Sequence, residues 1–382
     1  MKSLRTTFLV TSVAVAIVLV AAGHPAAEPF DSAQGGQAKP AAPTFKVDPN
    51  WPQEMPNHWI MGAVTAVFVD AKQHVWVAHL PETLTEEELY EEQKPLPMGT
   101  CCKAAPPILE FDPQGKLVQG WGQGSMTDFS DWPRDPHGLF VDHQDNVWVG
   151  SHSRHRVMKF TRNGKLLLQI GEYEKVGGSA DTKLLGGPSG IWVDPKTNEA
   201  FISDGYRNRR VIVVDGATGA YKRHWGAYGK VPDDTEKFDP KTMISGALPS
   251  QFSTPHGITG SRDGRIYVTD RRGNRVQVFD QSGKYIAEKI IAPATLSSGS
   301  SFVPVLSPDP QQQWLYVADG TNHKIWILRR SDLEIVGEFG RGGRFLGQML
   351  RPHGMSVDTQ GNLYVGEAST GRRVQKFNLQ KR

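Results

Sequence analysis

Six copies of a two-strand phrase recur at about 50 residues, and the last copy lacks a fourth strand. Together they predict an all-β fold, a six-bladed β-propeller of four-stranded antiparallel blades whose ring is closed by an N-terminal strand in the last blade. Each phrase joins a first strand, a polar turn and a second strand. It reads Ala66 to Asp70 with Val75 to Ala78, Gly138 to Asp142 with Val147 to Gly150, Gly190 to Asp194 with Ala200 to Ser203, Gly257 to Ser261 with Ile266 to Thr269, and Gly354 to Asp358 with Leu363 to Gly366. A degenerate copy runs from Val303 to Ser307 with Leu315 to Ala318.

Beyond each second strand, a polar turn leads to a third strand of β-branched and aromatic residues: Arg156 to Phe160, Arg210 to Val214, Arg275 to Phe279, Lys324 to Leu328 and Arg373 to Phe377. Fourth strands open at Gly turns, as in Gly164 to Ile170 and Gly283 to Ile286. Period-two alternation bounded by Gly, Asp and Asn marks short antiparallel strands. The chain stops soon after the third strand of the last unit, while Thr44 to Asp48 stands unassigned before the first. That leftover stretch is the outer strand the last blade needs, and it covers an open edge.

The propeller is expected to span residues 44–382, preceded by a signal peptide over 1–23 and a flexible spacer over 24–43 rich in Ala, Gly, Gln and Pro. Lys2 and Arg5 precede an apolar run from Phe8 to Ala22, which is shorter than the roughly 20 residues a spanning helix needs. The expected location is therefore periplasmic or extracellular, with no membrane span left after cleavage. A net charge of +3, from 43 basic and 40 acidic residues, gives no polybasic patch, so no nucleic acid partner is expected. Cys101 and Cys102 are adjacent and cannot staple distant segments. They read as reduced or locally oxidised thiols with a packing role, or as a vicinal disulfide or soft-metal pair in a loop.

The residue before each first strand reads, in order, Thr65, His137, Ser189, His256, Phe302, His353. Histidine occupies every second blade, always as Pro-His-Gly. Alternate blades of a six-membered ring stand about 120° apart, with their inner strands facing the axis. Three imidazoles then converge from three sides and match a catalytic zinc site with an open position, although other divalent ions also accept imidazole. Two turns after second strands, around Tyr206 and Arg271, should face the same end of the ring. Tyr206 is a candidate base and Arg271 a candidate holder of a substrate carboxylate; both turns also read as solvated loops. Asp204, Asp270 and Asp319 recur in equivalent turns and read as turn-stabilising.

These residues resemble NHL repeats, and roughly Thr44 to Leu379 is similar to the peptidyl-α-hydroxyglycine α-amidating lyase branch of six-bladed propellers, including exported bacterial relatives. That resemblance implies cleavage of a C-terminal α-hydroxyglycine to an amide and glyoxylate, with zinc on His137, His256 and His353. It also implies Tyr206 as the base on the substrate hydroxyl and Arg271 as a rim arginine of the site. The pattern departs in three places. Leu80 follows His79 where the family has an arginine; Gly354 stands where the family has an aspartate of a structural calcium site, which leaves calcium doubtful; and the family's disulfides in the third and fourth blades have no cysteines here. A non-catalytic NHL propeller that binds a protein or glycan through its rim is the alternative. A calcium-dependent lactonase would want carboxylates and amides at the channel, and the six entry residues contain none.

Overall fold

The computed structural model describes residues 41–122, 132 and 135–380. Within them the chain forms six four-stranded antiparallel sheets and one two-stranded parallel ribbon that pairs Trp59–Ile60 with Lys103–Ala104. Five blades run in simple chain order, from an inner strand outwards. The inner strands are Ala63–Val69, Pro136–Val141, Pro188–Val193, Pro255–Gly260 and Pro304–Leu306. The sixth blade takes Pro352–Val357, Leu363–Glu367 and Arg373–Leu379 from the C-terminus and its outer strand, Phe45–Val47, from the other end of the chain. Phe45 pairs with Leu379 and Val47 with Phe377. The expected closure is thus the observed one. The expected signal and spacer fall almost wholly on residues 1–40, outside the described residues. Among the described residues no helix is long and apolar enough to cross a membrane.

Side-chain devices that recur in several blades brace their turns. An aspartate ending the inner strand accepts the N–H groups of the following turn and an indole from the second strand. Asp142 takes Gln144 and Asn146 N–H, each at 2.9 Å, and Trp148 Nε1 at 2.8 Å; Asp70 does the same for Trp76 at 3.0 Å. At the opposite end, a buried arginine opening the third strand grips an acid closing the second. Arg210 Nε lies 3.0 Å from Asp204 and Arg275 Nε 3.1 Å from Asp270, all four side chains fully buried. The same guanidiniums donate to the incoming loop, at Ser179 and Leu184 oxygens for Arg210 and at Pro249 and Gln251 oxygens for Arg275. Asp204 and Asp270 are therefore more than turn formers: they neutralise the arginines that fasten the rim loops.

The long segment between the second and third strands of blade one carries a disulfide between Cys101 and Cys102. The vicinal pair is formed, and no soft-metal role attaches to it. Aromatic and aliphatic side chains of neighbouring blades share their cores, as where Trp76 and Ile108 of blade one meet Leu139, Val149 and Phe160 of blade two. Burial of these contiguous faces is what holds blade to blade.

Candidate metal centre

The inner strands begin earlier than the sequence pattern suggests, and this changes how the histidines are presented. Pro-His-Gly is not the approach to a strand but its first part. The pairing register slips between Pro136 and Leu139, between Pro255 and Gly257, and between Pro352 and Gly354. A slip of this kind is a β-bulge, which takes a residue out of the ladder and re-aims its side chain. The residue so re-aimed is the histidine. Thr65 and Ser189 occupy the equivalent bulges in blades one and three.

The glycine of the phrase has its own reason. A Cβ on Gly138 would stand 2.6 Å from Ser189 O, and one on Gly257 would stand 2.7 Å from Phe302 O. Only glycine lets adjacent inner strands approach this closely. The approach brings those same carbonyls within reach of the preceding histidine. His137 Nδ1 lies 3.0 Å from Ser189 O, His256 Nδ1 2.8 Å from Phe302 O, and His353 Nδ1 2.8 Å from Thr65 O. A carbonyl accepts only, so each Nδ1 carries the proton and each Nε2 keeps its lone pair. Thr65 and Ser189 complete the lacing by donating their hydroxyls to Pro136 O at 2.6 Å and Pro255 O at 3.1 Å.

The three rings meet pairwise at 4.8, 5.0 and 4.9 Å between centroids, each nearly perpendicular to the next. One ligand nitrogen from each falls within 4.8 Å of the others. All three residues are buried, and burial pushes their protonation far down: His353 to about 3, with Arg271 adding to the effect, and His137 and His256 well below the ordinary value. Three neutral imidazoles with converging lone pairs form a donor set that suits a divalent ion of the zinc type. An axial cavity of about 270 Å³ runs from the histidines along the inner strands, past Phe68, Phe140, Trp192 and Gln312.

Tyr206 and Arg271 sit at the same end of the ring, beside this trio. Tyr206 Oη lies 2.8 Å from His137 Nε2 and 3.4 Å from His256 Nε2. Arg271 Nη1 donates to the same oxygen at 3.1 Å, and its guanidinium lies over the Tyr206 ring at 5.1 Å. The turns that carry the two residues are fastened by the Asp204–Arg210 and Asp270–Arg275 pairs.

Four neighbours escaped the sequence reading of the site. Phe302, noted only as an entry residue, is a hub: His256 and His353 rings each stand 5.5 Å from it, and Arg271 and Arg351 lie over it. His152 faces both His137 and Tyr206, at 5.1 and 4.5 Å between ring centroids, and its Nδ1 lies 2.9 Å from Asp135. Burial works to raise the Asp135 carboxyl, but His152, Ser151 and Ser153 override it and leave it at about 2. A signal was present for two of the four. His152 follows a second strand, as Arg271 does, and Arg351 directly precedes the third Pro-His-Gly.

Another buried histidine is structural, and it yields a prediction. His79 accepts Gly62 N–H at Nδ1 (3.1 Å) and approaches Pro106 O with Nε2 at 2.9 Å, so a second proton has no acceptor. Burial lowers its pKa from 6.5 to about 4. As pH falls through 6.5 the unfolded chain takes up a proton that the fold refuses until about 4. Stability is therefore lost across that window, by roughly 3 kcal/mol. Denaturant titrations should show the wild type losing that much relative to His79→Gln, which keeps both bonds without titrating; a constant difference between the two from pH 7 to 4 contradicts this.

Residues 252–279, which open blade four, match the NHL repeat family. A solved gluconolactonase from Xanthomonas campestris shares the fold, with TM-score 0.52 and 12% identity over 91% of this chain and 99% of that one. Peptidyl-glycine alpha-amidating monooxygenase B of Xenopus laevis is 25% identical over 336 residues, 84% of this chain; the chain spans 34% of that relative. Peptidyl-alpha-hydroxyglycine alpha-amidating lyase 2 of Drosophila melanogaster is 34% identical over 362 residues, 89% of this chain and 77% of that protein. Identity at that level over most of both chains makes this protein a member of the peptidyl-α-hydroxyglycine α-amidating lyase family.

Proposed function

We propose that the protein is an exported, zinc-dependent lyase of the amidating type, which cleaves the N–Cα bond of a C-terminal α-hydroxyglycine to leave an amide and glyoxylate. The observation that carries this reading is the orientation of the trio. Three backbone carbonyls hold the Nδ1 protons of His137, His256 and His353, and three Nε2 lone pairs face one another. These residues would hold the metal. When bound, it supplies a Lewis acid that polarises an oxygen placed against it.

The remaining chemistry belongs to the chain. Tyr206 Oη, at the lip of the trio, takes the proton of the substrate hydroxyl. Arg271, whose Nη1 reaches that tyrosine oxygen, places positive charge beside the substrate oxygen from which the proton departs and stabilises the negative charge left there. The C–O bond becomes the aldehyde of glyoxylate, the C–N bond breaks, and its electron pair goes to nitrogen. The nitrogen then gains a proton to give the primary amide. One proton leaves the hydroxyl and one reaches the nitrogen, so no water is consumed and Tyr206 can carry the proton across. Residues 1–23 act, in this reading, as the export signal and 24–43 as the spacer.

The test combines metal analysis of the purified protein with glyoxylate release from α-hydroxyhippurate. The expected result is about one zinc per chain, from the one three-histidine group among the described residues, together with glyoxylate formation. Metal without glyoxylate removes the amidating assignment and leaves a metal site. A folded protein with neither is a binding scaffold of the NHL kind.

A further inference from the structure

Other arginines at this rim are paired. Arg210 and Arg275 each grip a carboxylate, and Arg373 Nε lies 2.7 Å from Glu367. Arg271 and Arg351 differ. Both lie over the Phe302 ring, with guanidinium carbons 5.2 and 5.4 Å from its centroid. Among the described residues neither contacts a carboxylate. Arg271 is only 9% exposed, and its Nε is buried without a partner. Arg351, half-buried, donates Nη2 to the Ser298 hydroxyl at 3.1 Å. Two like charges on one ring, partly out of water, repel each other and cost free energy unless an anion joins them.

The arrangement is built rather than incidental. Arg351 has a left-handed backbone, φ +54°, and its N–H is held at 2.8 Å by His323 Nδ1. The Phe302 ring between the arginines also touches His256 and His353, and Arg271 reaches Tyr206 Oη. An anion held here therefore sits next to the histidine trio and the candidate base.

We propose that Arg351 and Arg271, spread over Phe302, form a two-arginine carboxylate clamp, and that Arg351 is the residue that makes the substrate a free acid in preference to its neutral amide. A planar carboxylate offers two acceptor oxygens to two guanidiniums, and charge-assisted bonds of this kind are the strong ones. The clamp rests on the amidating reading for the identity of its substrate, but not for the charge it selects.

The test is calorimetric binding of hippurate, an acid without the reactive hydroxyl, and of hippuramide, its neutral counterpart. The wild type, Arg351→Gln and Arg351→Lys are compared, with thermal melts to verify folding. Loss of one charge-assisted contact should weaken hippurate binding by about 10- to 100-fold in Arg351→Gln. Hippuramide affinity should stay unchanged, and Arg351→Lys should recover part of the loss. Equal affinity of the wild type for acid and amide, or hippurate binding that survives Arg351→Gln, overturns the clamp. Glyoxylate release is scored separately. Arg351-dependent hippurate binding without turnover keeps the clamp and sinks the lyase reading, whereas turnover with unaltered hippurate affinity does the reverse.

Discussion

Replacing His256 by alanine should strip the purified protein of its metal. The substitution removes one of three nitrogen donors, which is more severe than disturbing an outer partner of a ligand, itself worth about 10- to 100-fold in affinity. Metal content is expected to fall from about one per chain to below a tenth. Thermal melts provide an independent readout. A ligand that binds only the native state stabilises it by about 4 kcal/mol at a thousandfold excess over Kd, so chelation should lower the wild-type midpoint and leave that of His256→Ala where it was. The variant also loses the His256 Nδ1 bond to Phe302 O, which keeps the Thr269 hydroxyl at 2.8 Å, at a cost of about 0.5–1.5 kcal/mol for one hydrogen bond. The proper reference is therefore the chelated wild type. Full metal content in His256→Ala, measured by elemental analysis, would remove the trio from the metal site.

The second large effect is expected from Tyr206→Phe. The ring can still pack against His152 and His137, and only the oxygen that lies between His137, His256 and Arg271 is lost. General-base action contributes about 10²- to 10⁴-fold, so kcat for glyoxylate release should fall by that factor. Metal content should remain near one per chain, because the three Nδ1 bonds that orient the ligands do not involve Tyr206. KM should change little, since Arg271 stays in place over Phe302. A variant within about threefold of the wild-type kcat is incompatible with Tyr206 as the base. A variant that loses metal along with activity would make Tyr206 a support of the site instead.

Much of the architecture was legible in the chain because it is local. Strand alternation, Gly-Asp-Asn turns and the recurring phrase each lie within a few residues, and counting phrases yields six blades. Even the closure of the ring follows from a deficit at one end and a spare strand at the other. The alternation of Thr65, His137, Ser189, His256, Phe302 and His353 is equally local, so the convergence of three histidines could be anticipated without coordinates. Asp204 and Asp270 were seen as turn residues because a sequence shows their position in a turn but not the arginine buried beneath it.

What remained hidden depends on contacts between blades. His353 reaches Thr65 O across 288 residues, and no pattern along the chain announces which carbonyl will fix its tautomer. The bulges that swing the histidines toward the axis are slips in strand pairing, a property of two strands together and not of either alone. The gathering of Arg271 and Arg351 on Phe302, and of His152 on Tyr206, joins residues from different blades that meet only because neighbouring blades pack side by side around the axis. Sequence by itself determined the six blades, their closure and the presence of three imidazoles at alternate positions, since repetition and periodicity carry that information. Only the tertiary structure decided which nitrogen each imidazole presents and which cations stand beside it, since those depend on how closely Gly138, Gly257 and Gly354 let neighbouring strands approach.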